Sequence, residues 1–431
     1  MSARPLAFRA HTTLALTTVL HAFTHLYGTL LVPLYLLMQS DLGLARTGQA
    51  TLVLTVYGLT YCLGSFPAGV IADRFNRKTL LGIGLMGNAA AVLLMGVVRE
   101  YELVLLLSFV GGLFGTLFHP AANALVPAHY PRSPGMAIGL LGIGSGIGMF
   151  VGPRFAGWRA ESATWQLWDV AHWQRPLVEM GLLGLACGAL YLLVASEART
   201  ADPQPRSAPG SEKDDAREWR SLRPRVLAIA AILGLRDFAG VATLTLASVF
   251  LQKAHGRSVA DTGLILGAMM LVGIVANPLA VWLSPGRGRL PALAGVLVTG
   301  GAILTAIPHV AAGWVLPVLA AFQACNLGSF ALADSAMLER VNPAVRGRVV
   351  GLFLTSAGTF ASSAPWLMGA WIDAIGDDST RAQGYHLPFA LCGGLVALSA
   401  LSVKLIDALG KAHERVGPIS EIEPSTMAPL E

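Results

Sequence analysis

Charge is what this sequence has least of. Only 13% of its 431 residues are Asp, Glu, Lys or Arg, against 54% hydrophobic residues and a mean hydropathy of +0.61. A soluble globular chain carries roughly 25% charged residues. A chain of this length with so few cannot cover itself with polar groups in water, so lipid must be the solvent for most of it. Paired cysteine patterns are also missing. Cys62, Cys187, Cys325 and Cys392 all lie inside apolar runs, without disulfide or metal spacing. No Gly-x-x-x-x-Gly-Lys-Ser/Thr loop occurs, which removes a P-loop nucleotide as energy source and leaves an ion gradient. No nucleophile–base or metal-ligand spacing appears either, so the expectation is a chain that is not an enzyme and needs no metal or cofactor. Long polar stretches are confined to about 197–224 and to the tail after Lys411.

Between those stretches, apolar runs of about 20 residues recur, the length that crosses a hydrocarbon core as a helix. They predict helices near 12–38, 49–72, 79–98, 103–127, 136–157 and 177–196. A second set is predicted near 225–252, 259–283, 290–308, 313–338, 347–373 and 386–408. The 48 glycines and 24 prolines suit membrane helices, where small residues permit close packing and neighbours tolerate kinks. The fold class expected is therefore all-α integral membrane, with twelve transmembrane helices. The expected divisions are an N-terminal six-helix half (1–196), a flexible cytoplasmic linker (197–224), a C-terminal six-helix half (225–410) and a disordered tail (411–431). Arg4 and Arg9 precede the first run without a cleavage signal, which predicts an uncleaved first helix.

A pI near 9.2 invites a nucleic-acid reading, but the basic residues sit in short loops between runs. They concentrate on alternate loops, with mixed charge on the others. By the positive-inside rule this puts both termini and the linker in the cytoplasm.

The two sets are repeats. An offset of 212 lays Phe118 on Phe330, Pro131 on Pro343, Gly139 on Gly351, Gly146 on Gly358, Pro153 on Pro365 and Gly157 on Gly369. Glycine and proline coinciding at one offset across a helix–loop–helix unit indicates duplication.

The most specific local pattern is Gly69-Val-Ile-Ala-Asp-Arg-Phe-Asn-Arg-Lys78, a connection too short to cross anything. Asp73, Arg74, Arg77 and Lys78 crowd into it, and Asn76 sits where a reversing chain wants a residue tolerant of a left-handed backbone. It resembles the loop between the second and third helices of the major facilitator superfamily, with Asn76 where the family usually has Gly. The resemblance covers essentially the whole chain. It implies two pseudo-symmetric six-helix halves around a central cavity, with Gly69, Asp73, Arg74, Arg77 and Lys78 as a conformational latch near the start of the eleventh helix. The repeat copy, Asn277 to Arg289, has lost the acid.

Ionisable residues at membrane depth are few: His21, His25, His119, Arg236, Asp237 and Asp334. They fall on the first, fourth, seventh and tenth helices, which line the cavity in the superfamily, and a residue of this kind inside a membrane marks a functional pathway. They are the expected substrate and proton residues. His21 and His25, four apart, share one helix face. The offset sets His25 opposite Asp237, so the two are expected to meet when the outside closes. Arg236 points about 100° away from Asp237 on the helix, so the two need not pair, and Asp334 is a candidate partner for Arg236.

On the fifth helix, Gly148-x-x-x-Gly152-Pro153-x-x-Ala156-Gly157 makes a flat packing face. It is similar to the antiporter motif of superfamily exporters, which implies export. Phe118-His119-Pro120 and His21-x-x-x-His25 are similar to the fosmidomycin-resistance-like branch of bacterial exporters, whose first helix has an acid where this chain has His25. Ser108 stands where the superfamily's antiporters often carry Arg, so the usual Arg-centred proton mechanism does not carry over. The outer loop 158–175 holds Trp158, Trp165, Trp168 and Trp173, read as an interfacial segment or a lid. Together these features predict a proton-coupled exporter of a small organic or amphiphilic compound. It is expected as a monomer in a bacterial-type inner membrane, with protons and the lipid bilayer as its other partners and no nucleic acid. The rival readings are an uptake symporter and a non-transporting receptor or assembly factor on the same fold.

Overall fold

The computed structural model describes residues 3–162, 169–197, 211–342 and 345–415. Its first helices are α1 (Ala3–Thr29), α2 (Tyr35–Asp41), α3 (Thr47–Arg74), α4 (Arg77–Met95) and α5 (Tyr101–Gly115). Then come α6 (Phe118–His129), α7 (Pro134–Glu161), α8 (Arg175–Val194) and α9 (Ser211–Val249). The rest are α10 (Val259–Leu283), α11 (Arg289–Ala306), α12 (Val315–Leu338), α13 (Arg346–Ala361), α14 (Ala364–Ile375), α15 (His386–Leu398) and α16 (Ser402–Arg415). Among the described residues there is no strand, and eleven helical segments are long and apolar enough to cross a membrane. The expected eleventh crossing, α13 with α14, is the one outside that set.

Three of the expected crossings are broken by a two-residue turn, and each of these breaks lies four or five residues before a proline. Thr29 ends α1 ahead of Pro33, Gly115 ends α5 ahead of Pro120, and Ala361 ends α13 ahead of Pro365. Proline offers no N–H to the carbonyl four residues back and its ring pushes against it. Pro67, Pro153 and Pro278 stay inside continuous helices, so proline permits these breaks without compelling them. At the first break two carbonyls are held from the second set: Ser248 Oγ donates to Val32 O at 2.7 Å and Gln252 Nε2 to Pro33 O at 3.1 Å.

The repeat is visible in where helices start. Thr47 and Val259 open α3 and α10, Arg77 and Arg289 open α4 and α11, and Pro134 and Arg346 open α7 and α13, each pair 212 apart. One expectation is corrected. Helix α9 begins at Ser211, inside the stretch read as linker, and runs on through Pro224 into the apolar run. Residues 198–210 and the tail beyond Arg415 lie outside the described residues.

The two sets of helices meet along two seams. In the first, α3 faces α13 and α14. Thr47 and Gly48 meet Asp373, Thr51 meets Gly369, Thr55 Oγ1 accepts from Trp366 N at 3.0 Å, and Cys62 Sγ lies 3.6 Å from Ser362 Oγ. In the second, α7 faces α10 through Gly157 on Val259, Pro153 on Gly263 and Phe150 on Gly267. Glycine is required here, since a Cβ at Gly263 would sit 2.2 Å from the Pro153 carbonyl oxygen. Both seams stop midway. Side chains built at Gly69, Gly135, Gly139, Gly347 and Gly351 would meet nothing within 4 Å. The sets are therefore closed at the end where α3 and α10 begin and apart at the opposite end.

Candidate functional site

The predicted ionisable residues fall in two groups, one on each set. On the first set, His21, His25 and His119 form a cluster whose ring nitrogens all lie within 4.8 Å of one another. His21 and His25 come from successive turns of α1, with Nε2 to Nε2 at 3.1 Å. His119 enters two residues after the Pro120 break and packs edge-on to both, with ring centroids 5.2 and 5.7 Å away. Phe118 stacks on His21 at 4.8 Å. His21 Nδ1 lies 2.8 Å from the Leu141 carbonyl oxygen on α7. A carbonyl only accepts, so this nitrogen carries the proton and leaves Nε2 of a neutral ring bare. No described carboxylate lies in ion-pair range of the three rings.

The glycine stripe of α7 makes this arrangement possible. A Cβ at Gly144 would come 2.3 Å from Thr18 O and one at Gly148 2.0 Å from Ala22 O. Gly152 faces Leu26 and Thr29 in the same way, and Gly157 belongs to the seam with α10. The motif therefore seats α7 between α1 of its own set and α10 of the other.

On the second set, Arg236 is fully buried and pairs with its neighbour, not with the candidate Asp334. Its Nε donates to Asp237 Oδ1 at 2.7 Å and its Nη1 to Ser329 Oγ at 3.2 Å, while the guanidinium lies 3.7 Å from the Phe330 ring centre. The arginine side chain is long enough to curl back over the turn that separates the two Cβ directions, and the ring of Phe330 holds it there. Asp334, one helical turn beyond Phe330, is exposed and makes no ion pair with a described residue. No ion pair joins His25 and Asp237 among the described residues: His25 is engaged by His21 and Asp237 by Arg236.

The latch loop is open. Asp73 and Arg74 are exposed and have no hydrogen bond or ion pair among the described residues, as the separation of the sets at that end requires. Asn76 does not adopt a left-handed backbone. With φ −60° it caps α4, its Oδ1 accepting from Thr79 N at 2.9 Å, while Glu197 Oε2 accepts from Lys78 N at 2.8 Å. Ser108 is buried and donates to the Val53 carbonyl, a packing role. Trp158 is exposed, whereas Trp173 is fully buried with its indole N–H on Asp41 at 2.9 Å, so that part of the loop is core and not interface. Trp165 and Trp168 lie outside the described residues.

The sequence reading missed a pair of carboxylates at the closed end. Asp373, in α14, accepts from Thr47 N at 2.7 Å and Gly48 N at 2.8 Å, the first free amides of α3. Glu161, ending α7, accepts from Val259 N, the first free amide of α10. The same offset of 212 relates Glu161 to Asp373, and that coincidence of acids was the signal available in the sequence.

Comparison with known proteins agrees with this geometry. Residues 17–362 match the family described as Major Facilitator Superfamily. Over 377 residues the chain is 22% identical to the probable galactarate/D-glucarate transporter GudP of Bacillus subtilis, covering 79% of this chain and 80% of that one. Over 141 residues, 31% of this chain and 33% of the other, it is 33% identical to the multidrug resistance protein MdtG of Enterobacter lignolyticus. Among solved structures, a bacterial homolog of the human lysosomal transporter Spinster, inward-facing and unoccupied, superposes with a TM-score of 0.78 at 15% identity, covering 94% of this chain and 98% of that one.

Proposed function

This chain belongs to the major facilitator superfamily, and we propose that it is a proton-coupled exporter of a small organic or amphiphilic compound. Counting α13 with α14 as one broken crossing gives twelve helices in two halves, which rock about the seams to expose the cavity to either side in turn. In this reading the closed end faces outward, both termini and the 197–224 segment face the cytoplasm, and the structure is the inward-open state of a monomer in a bacterial inner membrane. Membership of the fosmidomycin-resistance-like branch rests on Phe118-His119-Pro120 and the His21/His25 pair.

The observation that carries the proposal is the charge content of the open cavity. It holds the Arg236–Asp237 pair, Asp334 with no ion pair among the described residues, and three histidines with no carboxylate in ion-pair range. Asp237 and Asp334 are the two groups able to carry a proton as carboxylic acids. Protonating Asp237 frees Arg236, whose buried guanidinium then needs another partner, so proton binding and the shape of the cavity are linked. Export over uptake rests on the seating of α7 by Gly148, Gly152, Pro153 and Gly157, and on the likeness of one third of the chain to a multidrug resistance protein.

A second reading, proton-coupled uptake of an organic acid, is favoured by the likeness to GudP over four fifths of the chain. A susceptibility screen of a strain lacking the protein supplies a test compound, and everted membrane vesicles supply the direction. An exporter accumulates the compound inside such vesicles when a proton gradient is imposed and releases it when an uncoupler is added. Accumulation in right-side-out vesicles alone would establish uptake instead.

A further inference from the structure

We propose that His21, His25 and His119 form a binding site for one divalent transition-metal ion of the Zn2+ class, reached through the open cavity. Three ring nitrogens converge within 4.8 Å from two elements, two on α1 and one on α6. Four-coordinate zinc holds imidazole nitrogens at about 2.0–2.1 Å, which sets neighbouring donors roughly 3.4 Å apart. The Nε2 atoms of His21 and His25 are already at 3.1 Å. Drawing in the widest pair takes a shift of roughly 1.4 Å, within reach of ring rotation on fixed helices.

A second observation points to a cation. His21 donates its Nδ1 proton to Leu141 O at 2.8 Å, the outer hydrogen bond that orients a ligating histidine and fixes which nitrogen is free. His25 Nε2–H fills the place of the ion now, donating to His21 Nε2; moving that proton to Nδ1 turns the second ring into a ligand. The donor chemistry selects the ion. Three imidazoles and no carboxylate among the three ligands suit Zn2+, Co2+, Ni2+ or Cu2+ and disfavour Mg2+ and Ca2+, which require oxygen. His25 and His119 are only partly buried, and a cavity water supplies the fourth ligand. The site stands independently of export and of proton coupling, so its absence leaves the transport reading intact.

The test uses the full-length, untagged protein in detergent, with Zn2+ and Co2+ alone as probes. One Zn2+ per chain should bind in competition with a chromophoric chelator, and X-ray absorption at the zinc edge should show three imidazole ligands. Co2+ should give the intense visible bands of a four-coordinate site. His25→Ala and His119→Ala should each weaken Zn2+ binding roughly tenfold or more. His309→Ala with His386→Ala, which removes another close pair with ring centres 3.9 Å apart, should leave it unchanged. No bound Zn2+, a six-coordinate Co2+ spectrum, or binding lost in the His309/His386 variant and kept in the other two would overturn the proposal. The absorption measurement needs no variant, so a substitution that fails to fold does not spare it.

Discussion

Replacing Asp373 with Asn removes the charge from the clamp that holds the closed end shut. The carboxylate spans two amides, Thr47 N at 2.7 Å and Gly48 N at 2.8 Å, at the start of a 28-residue helix belonging to the other set. A charge–dipole interaction at a helix N-terminus contributes about 0.3–1 kcal/mol, and hydrogen bonds to a charged group about 1.5–3 kcal/mol. Asparagine keeps one acceptor and turns an amide donor towards a backbone donor, so the loss falls near 2 kcal/mol, within about 1–3 kcal/mol. These bonds exist only while the closed end is shut. A loss of about 2 kcal/mol therefore moves the ratio of forms closed and open at this end by roughly 30-fold. Spin labels at Glu100 and Asp377, both exposed near the closed end, read this on a background lacking the four cysteines. Pulsed electron–electron resonance should show a new, longer distance population in Asp373→Asn and a larger one in Asp373→Asn with Glu161→Gln. A distance distribution unchanged in both variants would refute the reasoning, because the clamp would then contribute nothing to the choice of state.

If the Gly69–Lys78 loop is a latch for the end that is open here, Asp73→Asn should lower turnover in vesicle transport while leaving expression and substrate binding intact. Asp237→Asn or Asp334→Asn, whichever is the proton carrier, should abolish gradient-driven accumulation and permit exchange of substrate at equilibrium; full driven rates in both would exclude the carboxylates. Asp237→Ala leaves Arg236 buried without its counter-charge and should cost about 3–5 kcal/mol, seen as a lower melting temperature that Asp237→Glu partly restores. Gly148→Val, placed 2.0 Å from the Ala22 carbonyl, should separate α7 from α1 and destabilise the protein by at least about 1–3 kcal/mol in the same assay.

Much of the fold is legible in the sequence because lipid imposes one rule, that apolar runs of sufficient length become helices. The run 259–283 matches α10 end to end, and Asp73 to Lys78 fall at the turn between α3 and α4. Side-chain reach is where the reading failed. Helical spacing separates Arg236 from Asp237, but it takes no account of a flexible four-bond arm that can fold back once Phe330 offers a surface. Spacing likewise brought His21 to His25, while His119 joins them only through a break near Thr116 that local sequence permits but does not dictate. The start of α9 at Ser211 was hidden by its charge, since hydropathy sees the membrane portion of a helix and not its extension into water. Glu161 and Asp373 were passed over for a related reason, as each acid looks like an ordinary residue at or beyond a helix end until its partner amides on another helix are known.

The most direct measurement is proton movement during substrate transport in proteoliposomes holding a trapped pH-sensitive dye. Adding a transported compound to one side of a membrane without an imposed gradient should drive protons in the opposite direction, and Asp237→Asn with Asp334→Asn together should abolish that movement. Protons moving in the same direction as the compound, or transport with no proton movement at all, would contradict the account.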